Sequence, residues 1–266
     1  MNEIEQKYHN LLANLKQHDR IAIAFSGGVD STFLLAAAQS ALGDRAVAVT
    51  ADSVFIPREE LETSAQFCSE HGIRQIVFEA DVLHDSDICA NPANRCYLCK
   101  LKIFRRIQTL TNEQGIAAVA EGSNLDDSGD YRPGMQAIAE LGILSPLRDA
   151  LLTKQEIRTL SRSLGLPTWQ KPSAACLASR IPYGDVITAE NLHMAEEAEQ
   201  YLHQLGLQQV RVRIHGRIAR IEALPDDLMN ILRHRVPISA RFHEIGFQYT
   251  SLDLLGYRTG SLNEVL

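Results

Sequence analysis

The stretch Ile21–Ser31, which reads IAIAFSGGVDS, decides the fold of this chain of 266 residues. Its first five residues form a short apolar run, which is typical of a strand buried on both faces. The two glycines predict a tight turn, and a helix follows from Asp30 to Leu42, where Gly43 ends it. A buried strand that leads through a tight turn into a helix is the building unit of an α/β domain.

The same alternation of strand and helix continues on both sides of this stretch. We predict further helices at residues 2–16, 57–71, 97–112 and 153–164. Further strands are predicted at residues 46–50, 75–79, 117–121 and 143–147, with loops at residues 80–95 and 122–135. This order favours a doubly wound, mostly parallel sheet, in which ligands bind at the carboxyl ends of the strands. Residues 26–31, 51–56 and 121–132 fall at those ends.

The pattern changes near residue 186. There we predict a helix at residues 188–205, strands at 210–214 and 217–224, a helix at 225–245 and a last strand at 247–254. We therefore expect an α/β domain over residues 1–185 and a small α+β domain over residues 186–266. A connection that contains prolines, residues 165–184, joins the two.

Composition excludes several classes of protein. The 26 basic and 33 acidic residues give a net charge of −7, which disfavours a nucleic-acid partner. The first 20 residues are polar and no apolar run approaches 18 residues, so we expect neither a secretory signal nor a membrane span. Five cysteines, an odd number, indicate a reducing, cytoplasmic compartment. Of these, Cys68 has the spacing of a core residue, whereas Cys89 has no partner pattern.

The Gly-Gly turn has the features of an anion site. Gly27 and Gly28 carry no Cβ, so successive backbone N–H groups can point into one concavity at the start of a helix. Ser26 and Ser31 add hydroxyl donors. Asp30 suits an anion site only if a divalent cation, Mg²⁺, bridges it to phosphates. The alternative is a purely structural turn whose helix is capped by Asp30 or Ser31.

Three cysteines are candidates for chemistry. Cys96 and Cys99 lie three residues apart at the start of a predicted helix, so their thiols share one helical face and can hold one metal or cluster. A zinc clip and a redox pair remain alternatives. Cys176 lies in the connection between Lys171 and Arg180, where a thiolate is accessible.

Polar residues in the second half of the chain are further candidates. Asp126, Asp127 and Asp130 follow the fourth strand, and they either hold Mg²⁺ or form turns. Arg132 either binds pyrophosphate or faces solvent. Arg180, four residues after Cys176, is a candidate for bidentate binding of a substrate carboxylate.

Arginines alternate with apolar residues in one strand of the predicted small domain. Arg211, Arg213 and His215 therefore project from one face of the sheet. This face is either a site for a phosphate or an ordinary solvated basic surface.

The segment Ser26–Ser31 resembles the SGGxDS loop of the N-type ATP pyrophosphatases, or PP-loop proteins. The resemblance implies an adenine nucleotide alpha hydrolase-like fold. It also implies that ATP is cleaved between its α and β phosphates, with transfer of AMP to an oxygen of the substrate. By the same resemblance, adenine contacts the end of the second strand, here Ala51 to Ser53.

Four segments together resemble the LarE family of ATP-dependent sulfur transferases. They are residues 24–32, 130–134 (DYRPG), Cys176 with 179–184 (SRIPYG), and 210–213 (VRVR). The resemblance implies that a carboxylate of pyridinium-3,5-biscarboxylic acid mononucleotide is adenylylated, and that sulfur displaces AMP to give a thiocarboxylic acid for a nickel-pincer cofactor. It further implies that Arg211 and Arg213 contact the substrate phosphate near a subunit junction, and hence a homo-oligomer.

The cysteine pattern divides this family. Single-cysteine members donate the sulfur of the cysteine matched by Cys176, whereas three-cysteine members hold a 4Fe-4S cluster. Cys96, Cys99 and Cys176 match the second group, so we favour a cluster whose open iron carries a labile sulfide from an unknown source. Three other functions stay open: a tRNA thiolase, an ammonia-using synthetase of the NAD or GMP type, and a regulatory ATP-binding module with a structural metal.

Overall fold

The computed structural model describes residues 2–129, 133–172, 175–258 and 260–265. The chain forms two compact units. The first unit comprises Met1–Ser53, Arg58–Ala80 and Asn94–Ala174, and the second comprises Val54–Pro57, Asp81–Ala93 and Ala175–Leu266. Within the described ranges, no helix has both the length and the apolar character needed to cross a bilayer.

The secondary structure follows the predicted alternation. The helices are α1 (Glu3–Leu15), α2 (Val29–Leu42), α3 (Arg58–Glu70), α4 (Ser86–Cys89), α5 (Arg95–Asn112), α6 (Pro133–Glu140), α7 (Pro146–Asp149), α8 (Lys154–Ser163), α9 (Ala189–Gln204), α10 (Leu228–Arg233) and α11 (Arg235–Ile245). The strands are β1 (Ile21–Ala24), β2 (Ala46–Asp52), β3 (Gln75–Glu79), β4 (Ala118–Ala120), β5 (Val210–His215), β6 (Ile218–Ala223) and β7 (Tyr249–Leu252).

The first unit is built on a parallel four-stranded sheet in the order β3-β2-β1-β4. Ile21 and Ile23 of β1 belong to a core with α1, α2 and α8, whereas Ala22 belongs to a second core with α5. Successive residues of a strand point to opposite faces, so a strand covered on both faces needs apolar residues throughout. The α/β class with a mostly parallel sheet is confirmed.

Three predictions about elements of the first 150 residues are wrong. The predicted loop at residues 122–135 contains a short 3-10 helix, Leu125–Gly129, and the start of α6. The predicted strand at residues 143–147 is reduced to a single bridge between Leu144 and Ala120. Pro146 then begins α7, because its fixed φ suits a first helical turn and it has no N–H for a ladder. The predicted loop at residues 80–95 contains α4, since Asp85 caps it by accepting from the N–H groups of Asp87 and Ile88.

The second unit contains the sheet β5-β6-β7, in which β5 and β6 are antiparallel and β6 and β7 are parallel. Its core joins α9 and α11 to the sheet through residues such as Ile221, Phe242 and Phe247. The expected small α+β region is therefore present. The helix predicted at residues 225–245 divides at His234 into α10 and α11.

The division between the units differs from the predicted boundary at residues 185/186. The second unit combines Ala175–Leu266 with the earlier segments Asp81–Ala93 and Val54–Pro57. Buried Asn91 is the physical reason: its side chain donates to the carbonyls of Ile181 and Pro182, and its own carbonyl accepts from Gly184 N–H. Cys176 and Arg180 consequently belong to the second unit.

Candidate functional site

The Gly-Gly loop at the end of β1 has the backbone that its sequence predicts. Gly27 has φ +72°, and a Cβ there would lie 3.2 Å from the carbonyl oxygen of Glu60. Gly28 is the N-cap of α2 and, having no side chain, leaves the helix N-terminus accessible. The hydroxyl of Ser31 donates to Gly28 O at 3.2 Å and lies 3.2 Å from that of Ser26. Both predicted hydroxyls therefore line the loop.

Asp30, in the first turn of α2, forms an ion pair with Lys154. Its other oxygen accepts from Asn124 Nδ2 at 3.4 Å. Burial raises the pKa of Asp30 above its ordinary value, and the positive charge of Lys154 opposes that rise. No motif in the sequence singles out Lys154.

The loop after β4 is ordered by a buried carboxylate and packs against the Gly-Gly loop. Glu121 accepts from Ser123 N–H at 3.1 Å, Ser123 Oγ at 2.8 Å and Ser145 Oγ at 2.8 Å. Gly122 then packs so closely that a Cβ there would lie 3.0 Å from the backbone nitrogen of Ser31. Sequence patterns did not reveal Glu121, which ties its own segment to Ser145.

The acidic residues after β4 take part in turns and caps. Asp126 accepts from the backbone N–H of Lys154 at 2.9 Å, and Asp127 accepts from Asn124 N–H at 2.9 Å. The negative charge of Asp127 also contributes to the raised pKa of Asp30. These contacts match the alternative in which the acidic residues form turns. They also place the Asp127 carboxylate beside the Gly-Gly loop. Asp130 and Arg132 lie outside the described residues.

A second lysine contacts the Gly-Gly loop. Lys171 Nζ lies 2.6 Å from a carboxylate oxygen of Glu60 and 3.2 Å from the carbonyl oxygen of Gly27. At the neighbouring end of β2, Ala51 is half-buried and Ser53 is buried. The first unit therefore gathers the loop, two lysines and the predicted adenine segment at one edge of its sheet.

Cys96 and Cys99 are the second and fifth residues of α5, and both are half-buried. Buried Arg95 donates a hydrogen bond to Cys96 Sγ at 3.6 Å.

Cys176 is half-buried in the second unit, at the N-cap of a short 3-10 helix, Leu177–Arg180. Arg180 holds this turn, because its Nη1 donates to the carbonyl oxygens of Ala175 at 2.8 Å and Cys176 at 3.1 Å.

The structure does not support Arg180 as a ligand for a substrate carboxylate. Its Nε and Nη2 bind the two oxygens of Glu199 at 2.9 and 2.7 Å, and both side chains are buried. The bidentate edge of the guanidinium is therefore occupied by a carboxylate of the protein itself. Arg180 is a positioning residue for the Cys176 turn.

Arg211 and Arg213 are buried, so the solvated-surface alternative is wrong for them; only His215 of this strand is exposed. Arg213 pairs with fully buried Glu222 at 2.9 Å. Arg211 stacks on Tyr257 at 5.6 Å from the ring centroid. Burial and then the nearby charge of Arg180 lower the pKa of Arg211.

The described part of the chain, which includes all five cysteines, shows no preassembled metal centre. Among these residues, no three His, Cys, Asp or Glu side chains are grouped so as to hold a metal ion.

Comparison with known proteins extends these observations. Residues 1–127 match the PP-loop domain family. An uncharacterised protein of Synechocystis is 42% identical over 99% of both chains. The pyridinium-3,5-bisthiocarboxylic acid mononucleotide synthase of Lactiplantibacillus plantarum is 36% identical over 100% of this chain and 97% of its own length. A GMP synthase of Chlamydia caviae is 27% identical over 62% of this chain and 36% of its own length. Because the synthase matches along its whole length, the chain belongs to the LarE family of PP-loop proteins.

Proposed function

We propose that this protein is an ATP-dependent sulfur transferase that converts a carboxylate of pyridinium-3,5-biscarboxylic acid mononucleotide to a thiocarboxylate, in nickel-pincer cofactor biosynthesis. The observation that carries the proposal is the 36% identity to the synthase over essentially the whole of both chains. An anion-binding loop in the first unit and buried arginines in the second are the two sites that such a reaction needs.

The first step is attack of a substrate carboxylate oxygen on the α-phosphorus of ATP, with pyrophosphate as the leaving group. The backbone of Gly27 and Gly28 and the hydroxyls of Ser26 and Ser31 receive the phosphates, because N–H and O–H donors stabilise their charge. Ala51 and Ser53 are the proposed adenine contacts. In this proposal Asp30 and Asp127 hold Mg²⁺, which neutralises phosphate charge. Their oxygen donors suit that ion, and Arg132 is a further proposed ligand of pyrophosphate.

Replacing Gly27 by alanine is expected to weaken ATP binding by about tenfold or more, since a side chain at this positive φ costs about 1–3 kcal/mol. The Cβ would also press on Glu60 O and deform the phosphate cradle. Isothermal titration calorimetry with ATP measures the effect. Gly43→Ala is the matched control, because Gly43 has φ +59° and no described atom lies within 4 Å of the place that its new methyl group would take. Equal ATP affinity in both variants would contradict this role for the loop.

The acceptor's phosphate is proposed to bind at the buried arginines. Arg180 and Arg213 each face a buried glutamate, and Arg211 adds a positive charge beside them. The charge of Arg180 lowers the pKa of Arg211, so an anion bound here would relieve repulsion between the two guanidinium groups. Arg211 is therefore the proposed phosphate ligand. The predicted role of Arg213 as a second ligand is not supported, because Glu222 occupies its Nε and Nη2 as Glu199 occupies those of Arg180.

The second step is attack of sulfide on the acyl carbon, with AMP as the leaving group. We propose Cys96, Cys99 and Cys176 as ligands of a 4Fe-4S cluster. The shared helical face of Cys96 and Cys99 and the half-buried Cys176 suit soft thiolate ligation. When bound, the cluster supplies a labile sulfide. The alternative, in which Cys176 itself gives up its sulfur, uses the same turn.

Protein purified without oxygen is expected to contain about four irons and four acid-labile sulfides per chain, as a 4Fe-4S cluster requires. Iron, zinc and sulfide analysis with a visible spectrum measures this. Cys96→Ala, Cys99→Ala and Cys176→Ala should each lose the absorption, whereas Cys89→Ala should keep it. Protein that stays colourless after anaerobic reconstitution would contradict the cluster and favour Cys176 as a sacrificial donor.

The proposed acceptor is tested by the release of pyrophosphate from ATP. We expect release with the pyridinium biscarboxylate and none with tRNA, or with xanthosine monophosphate and ammonia. Release with either of the latter would favour the thiolase or the synthetase. ATP binding with no turnover on any acceptor would favour a regulatory module.

We also propose a cytoplasmic homo-oligomer with no nucleic-acid partner. Exposed apolar side chains on the second unit, including Met229, Val236 and Tyr249, support association between copies. The net charge of −7 disfavours nucleic acid, and thiol chemistry suits a reducing compartment.

A further inference from the structure

Lys154 is fixed beside the phosphate loop by two contacts. Its side chain forms an ion pair with Asp30, and its backbone N–H donates to Asp126 at 2.9 Å. Its position at the start of α8 is set by the N-cap Thr153, which forms a capping box with Glu156. The fold itself therefore places the ammonium group of Lys154 next to the Asp30 carboxylate.

The Asp30 carboxylate has a positive charge beside it in this structure. It lies in the first turn of α2 beside a loop built for anions, and its side chain is only 22% exposed. Its other oxygen accepts a hydrogen bond from Asn124 Nδ2 at 3.4 Å, so Lys154 supplies the charged partner. Without a positive charge, this carboxylate would repel a polyphosphate and lose the stabilisation of its charged form.

We infer that Lys154 is a stand-in cation, which neutralises Asp30 in the nucleotide-free protein and gives up that carboxylate to the divalent ion that enters with ATP. This inference rests on the proposed function for the identity of the nucleotide. An ammonium and a divalent ion compete for the same carboxylate oxygens, so Lys154 weakens binding of the metal alone. Once released, the ammonium group remains within reach of the phosphates. Metal and nucleotide are therefore expected to bind together.

Lys171 serves as a control for Lys154 within the same protein. It also contacts the loop, at Gly27 O, but its carboxylate partner is Glu60. No contact between Lys171 and Asp30 is present among the described residues. Removing Lys171 changes the charge near the loop by the same amount as removing Lys154, and it leaves the Asp30 pair in place.

The test measures Mn²⁺ binding by electron paramagnetic resonance, with neither nucleotide nor acceptor present. Lys154→Met keeps the length of the side chain and removes its charge. We expect this variant to bind Mn²⁺ about tenfold more tightly than the wild type. The expected gain equals about 1.4 kcal/mol of binding free energy, because Mn²⁺ no longer has to displace the ammonium group from Asp30. Lys171→Met should bind Mn²⁺ as the wild type does, and adding Asp30→Asn to Lys154→Met should remove the gain.

Equal gains in Lys154→Met and Lys171→Met, or no gain in either, would overturn the inference. Thermal unfolding followed by circular dichroism checks that each variant is folded. If Lys154→Met does not fold, Lys154→Gln takes its place. Because the assay contains no ATP or acceptor, its outcome is separate from that of the proposed function. A missing Mn²⁺ effect with intact adenylylation refutes only the role of Lys154. A tenfold effect without adenylylation refutes only the proposed reaction.

Discussion

Cys176→Ala is expected to lose thiocarboxylate formation by about 1,000-fold or more, as is usual when an essential sulfur or nucleophile is removed. Pyrophosphate release should stay within a few-fold of the wild type. The reason is that pyrophosphate leaves in the first proposed step, whereas sulfur enters only in the second. Mass spectrometry of the acceptor and a pyrophosphate assay on the same samples separate the two steps.

The chain supplies two control cysteines for this experiment. Burial raises the pKa of the Cys68 thiol to about 11, so it is protonated and unreactive at neutral pH. Cys89 donates to the carbonyl oxygens of Val82 and Leu83. Cys68→Ala and Cys89→Ala should both keep sulfur transfer. Transfer that persists in Cys176→Ala would show that the sulfur passes through another group.

Glu199→Ala is expected to lower the free energy of unfolding by about 3–5 kcal/mol, because it leaves Arg180 charged and buried without its carboxylate. Glu199 also accepts from Val212 N–H at 2.8 Å, so the variant leaves a backbone donor of β5 without this partner. Urea unfolding at neutral pH measures the loss. Glu190→Ala, on the same helix, removes an exposed ion pair with Arg217 and should cost less than about 1 kcal/mol.

The same pair gives the stability a defined pH dependence. Burial alone would raise the pKa of Glu199, but the charge and hydrogen bonds of Arg180 outweigh it and hold the pKa below its ordinary value. A carboxylate whose pKa is lowered by folding stabilises the folded state at pH values above its ordinary pKa, here 4.5. This stabilisation is lost as the pH falls below that value. The difference in stability between wild type and Glu199→Gln should therefore shrink below that pH. A constant difference would show that the charge of Glu199 is not the cause.

Local sequence patterns predicted most of the first sheet, because each strand is a short apolar run that local composition reveals. They failed at residues 143–147, where an apolar run precedes Pro146 and only Leu144 reaches β4. They also gave no sign that residues 81–93 group with the second unit, where Asn91 binds carbonyls about 90 residues away. No local pattern reports such a contact.

The residues of the candidate site also fall into two groups, those that a local sequence pattern predicted and those that it did not. Ser26–Ser31 form a continuous motif, so their placement at the end of β1 followed directly from the sequence. Lys154, by contrast, meets Asp30 across 124 residues, and nothing in its neighbourhood distinguishes it from other lysines at helix starts. Glu199 stands among Glu196 and Glu197, and only the packing of α9 shows which of the three is buried against Arg180.

Transfer of oxygen from the acceptor to AMP tests the proposed reaction most directly. The acceptor is prepared with ¹⁸O in its carboxylates and incubated with ATP, and the products are analysed by mass spectrometry. Attack of the carboxylate on the α-phosphorus, followed by displacement of AMP by sulfide, places one ¹⁸O atom in AMP for every thiocarboxylate formed. AMP without label, or label in pyrophosphate, would contradict adenylylation of the carboxylate.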